Sequence, residues 1–171
     1  MHSKVFSEVG LIRVELVGVR VEQATNQPIV LLREPNSAGR HLPIFIGQPE
    51  ATSIVYALQG IETPRPMTHD LVTNTWREMG IRLHQVNVTD LKDGTFYAEL
   101  ELVQHGEVYR VSSRPSDAIA LAVRQTEPVP IFADEAVLEE AGVVLEPDDE
   151  EEQVAQFREF LDQVQPEDFA T

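Results

Sequence analysis

The 171-residue sequence contains no cysteine. Disulfides, thiolate metal sites and a cysteine nucleophile are therefore excluded together. The absence also fits a reducing compartment. No apolar stretch approaches the ~20 residues needed to span a bilayer, so no membrane association is expected. The opening "MHSKVFSEVGLIRVELVGV" has no basic region followed by a long apolar run and a small-residue cleavage site. No signal peptide is read there, and the expected location is cytoplasmic. Positive charge is scarce: 13 Lys and Arg face 29 Asp and Glu, for a formal net charge of −16. A general basic footprint is absent, so phosphate recognition would have to rest on a local patch or a metal.

The acidity is unevenly placed. Residues 134–171 hold 14 acids and one base, Arg158, whereas residues 1–133 hold 15 acids and 12 bases. The body is nearly balanced and the tail is strongly acidic. Hydrophobic residues make up 42% of the chain, and its length is enough to bury one core without staples.

The hydrophobic pattern mixes strands and helices. "LIRVELVGVRVE" (11–22) alternates, with Ile12, Val14 and Leu16 on one face. So long an apolar strand needs a partner, within the domain or across an interface. "PIVLLRE" (28–34) and "LPIFIG" (42–47) predict two further strands around a turn-rich "PNSAGR". "QPEATSIVYALQG" (48–60) predicts a helix with Pro49 and Glu50 in its first turn and Gly60 as its stop. Its apolar stripe is Ala51, Ile54, Val55 and Leu58. "HDLVTNTWREMG" (69–80) predicts a second helix, with Leu71, Val72, Thr75, Trp76 and Met79 on one face. Residues 81–91, 95–104 and 107–112 read as an antiparallel meander turned by "KDG" and "HG". "SSRPSDAIALAVRQT" (112–126) predicts a largely buried helix capped by Ser113. A short strand (129–132), whose Pro130 marks an edge or a strand start, and a short helix (134–143) follow. The run "EPDDEEE" reads as a solvated linker, and residues 152–164 as an amphipathic helix. The expected fold is α+β: a mixed, largely antiparallel sheet with helices packed on it, plus an acidic C-terminal helix. Two strand-to-helix units, "PIFIGQPEATSIVYAL" and "YRVSSRPSDAIALAV", echo each other weakly.

Three motifs occur in order: P-I-x-I-G at 43–47, P-x-T-H-D-L at 66–71 and R-P-S-D-A-I-A-L-A at 114–122. Each is weak alone; together, over about residues 9–143, the chain resembles the bifunctional nuclease family and its BFN domain. The resemblance implies a BFN-like domain over 1–143 with an acidic linker and amphipathic helix over 144–171. It implies a compact α+β domain, a homo-oligomer (dimer or trimer), and nuclease activity with RNA and DNA as substrates. Some relatives add a small helical hairpin of the kind found in UV-repair proteins; here the acidic segment stands in that place.

Under that resemblance the helix starts hold the candidate chemistry. Thr68 suits the N-cap of the second helix, and Asp70 in its first turn favours the macrodipole. Pro66 disfavours helix at Arg65. Neither point explains His69, which could act as a general base toward a 2′-hydroxyl or as a metal ligand. Asp117 is explained by the dipole of the third helix. Arg114 is not, because a cation at a helix N-terminus is locally unfavourable. It needs an ion pair with Asp70 or Asp117, or a bidentate contact with a phosphodiester. The candidates are catalytic His69, Asp70 and Asp117, and substrate-binding Arg65, Arg114 and Ser116. A carboxylate set of Glu50, Asp70 and Asp117 could hold Mg²⁺ or Mn²⁺ if three helix starts converge. No organic cofactor is expected. His84 reads as structural, His41 and His105 as solvated turn residues, and Trp76 as core. Two functions stand: a nuclease using a divalent metal or histidine assistance, or a non-catalytic oligomeric module that binds an anionic ligand or a protein partner. The motifs favour the first and the net charge the second.

Overall fold

A computed structural model describes residues 10–35 and 39–145. The linker and helix expected beyond residue 145 lie outside the described residues. Three antiparallel strands come first: β1 (Leu11–Glu22), β2 (Gln27–Arg33) and β3 (Arg40–Phe45). Helices α1 (Gln48–Gln59) and α2 (Thr68–Glu78) follow, then a second meander of β4 (Ile81–Lys92), β5 (Thr95–Gln104) and β6 (Glu107–Ser113). The chain continues through α3 (Pro115–Ala122), β7 (Ile131–Asp134), α4 (Glu135–Ala141) and β8 (Val143–Val144).

One eight-stranded sheet results, in the order β6-β5-β4-β7-β1-β2-β3-β8. Among the described strands it is antiparallel except where β7 runs parallel to β4. The long β1 finds its partners inside the domain, between β7 and β2. A bulge between Leu16 and Gly18 shifts its alternation by one residue. Val14 before the bulge and Val19 after it can therefore both enter the core, although their numbers differ in parity. Pro130 precedes an interior strand rather than marking an edge. It can sit there because it starts the strand, and its carbonyl accepts the Val86 N–H at 3.0 Å. Both meander turns place their central residues at positive φ: Asp93 and Gly94 at 49° and 75°, His105 and Gly106 at 51° and 83°. That is the geometry of tight hairpins.

Each meander delivers a helix from the end of its third strand: β3 leads into α1, and β6 into α3. The core joins Val30, Leu32, Leu42 and Ile44 of the first meander to Leu83, Val86 and Leu100 of the second. Ile54 and Val55 of α1, Ile119 of α3 and Leu138 of α4 complete it. Arg40 ties β3 to α4, bridging Glu34 at 2.7 Å and Glu135 at 3.0 Å. Its hydrogen bonds to the carboxylates of Glu135 and Glu34 hold its guanidinium pKa above the ordinary arginine value.

Several local expectations need correction. The N-cap of α2 is Met67, not Thr68; the Asp70 carboxylate accepts the Met67 N–H at 2.8 Å and does the capping. Arg114, not Ser113, holds the N-cap position of α3, and the Ser113 hydroxyl donates to the Arg114 carbonyl. On α2, Leu71 and Met79 are exposed; Thr73 is buried, and Val72 and Trp76 pack against the core. On α1, Leu58 is exposed whereas Thr52 and Ser53 are buried. His41 is buried in β3 rather than solvated in a turn. The edge strand β6 leaves Val108, Tyr109 and Val111 exposed. No helix among the described residues is long and apolar enough to cross a membrane.

Ile54 is fully buried where α1 meets the sheet. Ile54→Ala is expected to destabilise the fold by roughly 2–5 kcal/mol, measured as a lowered midpoint in urea unfolding with an unchanged slope.

Candidate functional site at three helix starts

The N-terminal turns of α1, α2 and α3 meet. Each starts where the chain turns off an extended segment, and each carries an acid in its first turn: Glu50, Asp70 and Asp117. Arg114, at the start of α3, lies between two of these acids. Its Nε and Nη2 grip Asp117 at 2.7 and 3.1 Å, and Nη2 also reaches Glu50 Oε1 at 2.9 Å. From α2, His69 Nε2 meets Asp117 Oδ1 at 2.9 Å. Its Nδ1 lies 2.8 Å from the Ser53 hydroxyl on α1.

Charge follows from these partners. Burial would push the Asp117 carboxyl up, but hydrogen bonds and charge from Arg114 and His69 outweigh it, so its pKa falls below the ordinary aspartate value. The same contacts push the Arg114 guanidinium up. An ionised Asp117 can only accept, so His69 Nε2 carries a proton. In the neutral ring, Nδ1 then accepts from the buried Ser53 hydroxyl. Both ring nitrogens are engaged, which positions His69 to orient Asp117.

Two groups keep open valence. Arg114 Nη1 makes no hydrogen bond within the described residues, and the Arg114 side chain is 64% exposed. Glu50 Oε2 makes none either. It lies so close over Gly47 that a side chain there would meet it. The glycine of P-I-x-I-G thus leaves room for the Glu50 carboxylate, while its φ of −76° suits any residue.

Beside these groups lies an open cleft of about 360 Å³. Ile44 and Phe45 at the end of β3, Ile46 and Gly47 after it, Gly94 of the β4–β5 turn, Thr95 and Phe96 at the start of β5, and Arg114 to Ser116 line it. Three strands separate β3 from β4 in the sheet order, so the sheet must curl to bring the two together.

Of the expected residues, Glu50, His69, Arg114 and Asp117 form one network, and the buried Ser116 joins Arg114 in the cleft wall. Asp70 stands apart. One of its oxygens caps α2 and the other takes Arg124 Nε at 2.7 Å. Glu50, Asp70 and Asp117 therefore do not converge as a metal set, because Asp70 is committed to Arg124 and the cation between the other two is Arg114. No group of three His, Asp or Glu among the described residues is arranged to hold a metal ion. Arg65 is exposed in the segment before α2; its carbonyl accepts the Thr63 hydroxyl, and its side chain makes no hydrogen bond among the described residues.

Ser53, Arg124 and Gly47 were not anticipated as site residues. Arg124, 8% exposed, joins all three helices through Asp70, the Ser53 carbonyl and the Ala120 carbonyl. The available signal was a Ser in an otherwise apolar helix run and an Arg closing the Ala-rich α3 segment.

A family model described as the bifunctional nuclease domain matches residues 30–146. The chain belongs to the bifunctional nuclease family. It is 48% identical over 164 residues to an uncharacterized protein of Mycobacterium tuberculosis, covering 91% of this chain and 96% of that one. It is 26% identical over 116 residues to bifunctional nuclease 1 of Oryza sativa subsp. indica, covering 66% of this chain and 35% of the rice protein. Against bifunctional nuclease 1 of Arabidopsis thaliana, identity is 28% over 107 residues, covering 61% and 33%. The chain spans about a third of these plant proteins.

Two tests follow for this family member. Gly47→Ala is expected to push the Glu50 side chain off Arg114, since the atom it meets is the mobile end of a side chain. Ligand binding or turnover should change while unfolding stability moves by less than about 1 kcal/mol; a large stability loss would show that the glycine serves the backbone. The depressed Asp117 pKa contributes stability that is present above the unfolded aspartate value and lost as pH falls through the folded one. The stability gap between wild type and Asp117→Asn should be constant above about pH 5 and shrink below about pH 4, read by denaturant unfolding across pH.

Proposed function

We propose that the chain is a nuclease that hydrolyses phosphodiester bonds of RNA and DNA at the junction of the three helix starts. The observation that carries this reading is Arg114: its guanidinium is held through Nε and Nη2 by Asp117 and Glu50, Nη1 makes no hydrogen bond among the described residues, and the residue lines an open cleft. A pre-oriented guanidinium loses little entropy on meeting a phosphate and neutralises charge as the phosphorus gains a fifth oxygen. Membership of a family described by its nuclease domain supports this reaction class.

The proton acceptor in this reading is Glu50 Oε2. It takes a proton from the attacking water or 2′-hydroxyl as the new O–P bond forms. The bond to the leaving sugar oxygen breaks, and that oxygen takes a proton from solvent. Asp117 and His69 hold Arg114 rather than touch the substrate. A divalent ion held by Glu50 and Asp117 would compete with Arg114 for these carboxylates.

A second reading, a non-catalytic oligomeric module, is favoured by the exposed Val108, Tyr109 and Val111 of edge strand β6. A second copy could pair there.

The deciding experiment is cleavage of RNA and DNA by protein freed of contaminating nucleases, with Mg²⁺, with Mn²⁺ and with EDTA. Glu50→Gln and Arg114→Ala are expected to lower kcat/KM by at least about 100-fold, and Asp70→Asn much less. Equal activity in Glu50→Gln, Arg114→Ala and wild type would overturn the assignment. A folded oligomer without cleavage under any condition would favour the binding module.

A further inference from the structure

We infer that the cleft beside Arg114 receives one unpaired nucleobase, so the substrate class is single-stranded nucleic acid. This deepens the nuclease reading and rests on it. Three observations converge. The cleft, at about 360 Å³, falls near the lower end of the roughly 300–1,000 Å³ typical of small-ligand pockets. A base held in a duplex is stacked and paired, and reaches such a cleft only by leaving the helix.

The walls suit a base. Phe45 and Phe96 line the cleft, and Phe45 is 56% exposed. An aromatic ring left open to water beside a guanidinium is the combination that holds stacked bases of single strands. Thr95 and the buried Ser116, on the same walls, supply hydroxyls for the polar edge of a base. Arg114 is part of the same lining, so a nucleotide with its base in the cleft has its phosphate within reach of the guanidinium.

Charge points the same way. Duplex binding without base contacts relies on many cations tracking the phosphate backbone. Residues 1–133 carry 12 Lys and Arg against 15 Asp and Glu, so the body has no net cationic surplus to supply such a track. Recognition must then come from a few local contacts, and a base pocket next to one arginine is such a site.

The test uses the full chain and two probes of equal sequence: a short single-stranded oligonucleotide and its blunt duplex. Steady-state cleavage and fluorescence-anisotropy binding in EDTA are both measured. The single strand is expected to bind at least about tenfold more tightly and to be cleaved with a higher kcat/KM. Phe45→Ala should raise KM for it about five- to tenfold with kcat little changed, Phe45→Tyr should restore it, and Phe96→Leu gives a second ring deletion that preserves apolar volume. Equal binding and cleavage of duplex, or no effect of either ring deletion in a folded protein, overturns the base pocket and leaves the nuclease assignment standing. No cleavage together with selective single-strand binding that Phe45→Ala abolishes overturns the nuclease assignment and supports the pocket.

Discussion

The site depends on one unfavourable placement made favourable. Arg114 sits where α3 begins, at the positive end of a helix dipole, and a cation there is opposed by the backbone itself. Asp117, one turn in, and Glu50, from another helix, offset that opposition with short charge-assisted bonds. The pairing fixes more than a charge. To grip both carboxylates, Arg114 must have α1 and α3 start side by side. That requires the two meanders to face each other, which the curled sheet achieves. The local ion pair and the global topology therefore specify each other.

A second cation does the hidden half of the work. Arg124 is nearly buried and donates to Asp70 and to two backbone carbonyls, one on α1 and one on α3. A buried guanidinium with one partner would be a liability; with three it is satisfied. Its effect on the site passes through α2. Asp70 caps that helix, and His69 precedes Asp70 by one residue. Fixing Asp70 fixes the direction of His69, which then holds Asp117 in place for Arg114. The outer arginine stays available because the inner one secures the frame.

Most of the fold was legible because its signals are local. Alternation marked β1, an apolar run marked β2, and the turn residues of "KDG" and "HG" marked the hairpins, where Asp93-Gly94 and His105-Gly106 take positive φ. The failures are equally physical. On α2, periodicity could not distinguish the face carrying Leu71 and Met79 from that carrying Thr73, because burial was decided by what α2 lies against. The caps were misplaced by one residue, since Thr68 and Ser113 have the right chemistry but Met67 and Arg114 have the extended backbone. The site was half visible. Arg114 and His69 stood out because helix physics did not explain them, and both belong to the network. Asp70 and Asp117 looked alike in sequence, each an acid in a first turn. Their fates diverged through partners 54 and 48 residues away, Arg124 and His69, which one sequence could not pair.

Under the proposed nuclease reading, the arrangement also bears on how an acidic chain would address a polyanion. A net charge of −16 opposes long-range attraction of a polyanion, so contact would have to carry the affinity. The carboxylates around Arg114 add to this cost. They hold one edge of the guanidinium and leave Nη1 outward, which trades strength of attraction for direction. A bare arginine would attract a phosphate in many poses; a clamped one accepts it in few. Productive geometry then depends on what the neighbouring cleft can grip, and "PIFIG" is where both demands meet. Ile44, Phe45 and Ile46 supply walls, and Gly47 makes room for the carboxylate that aims the arginine.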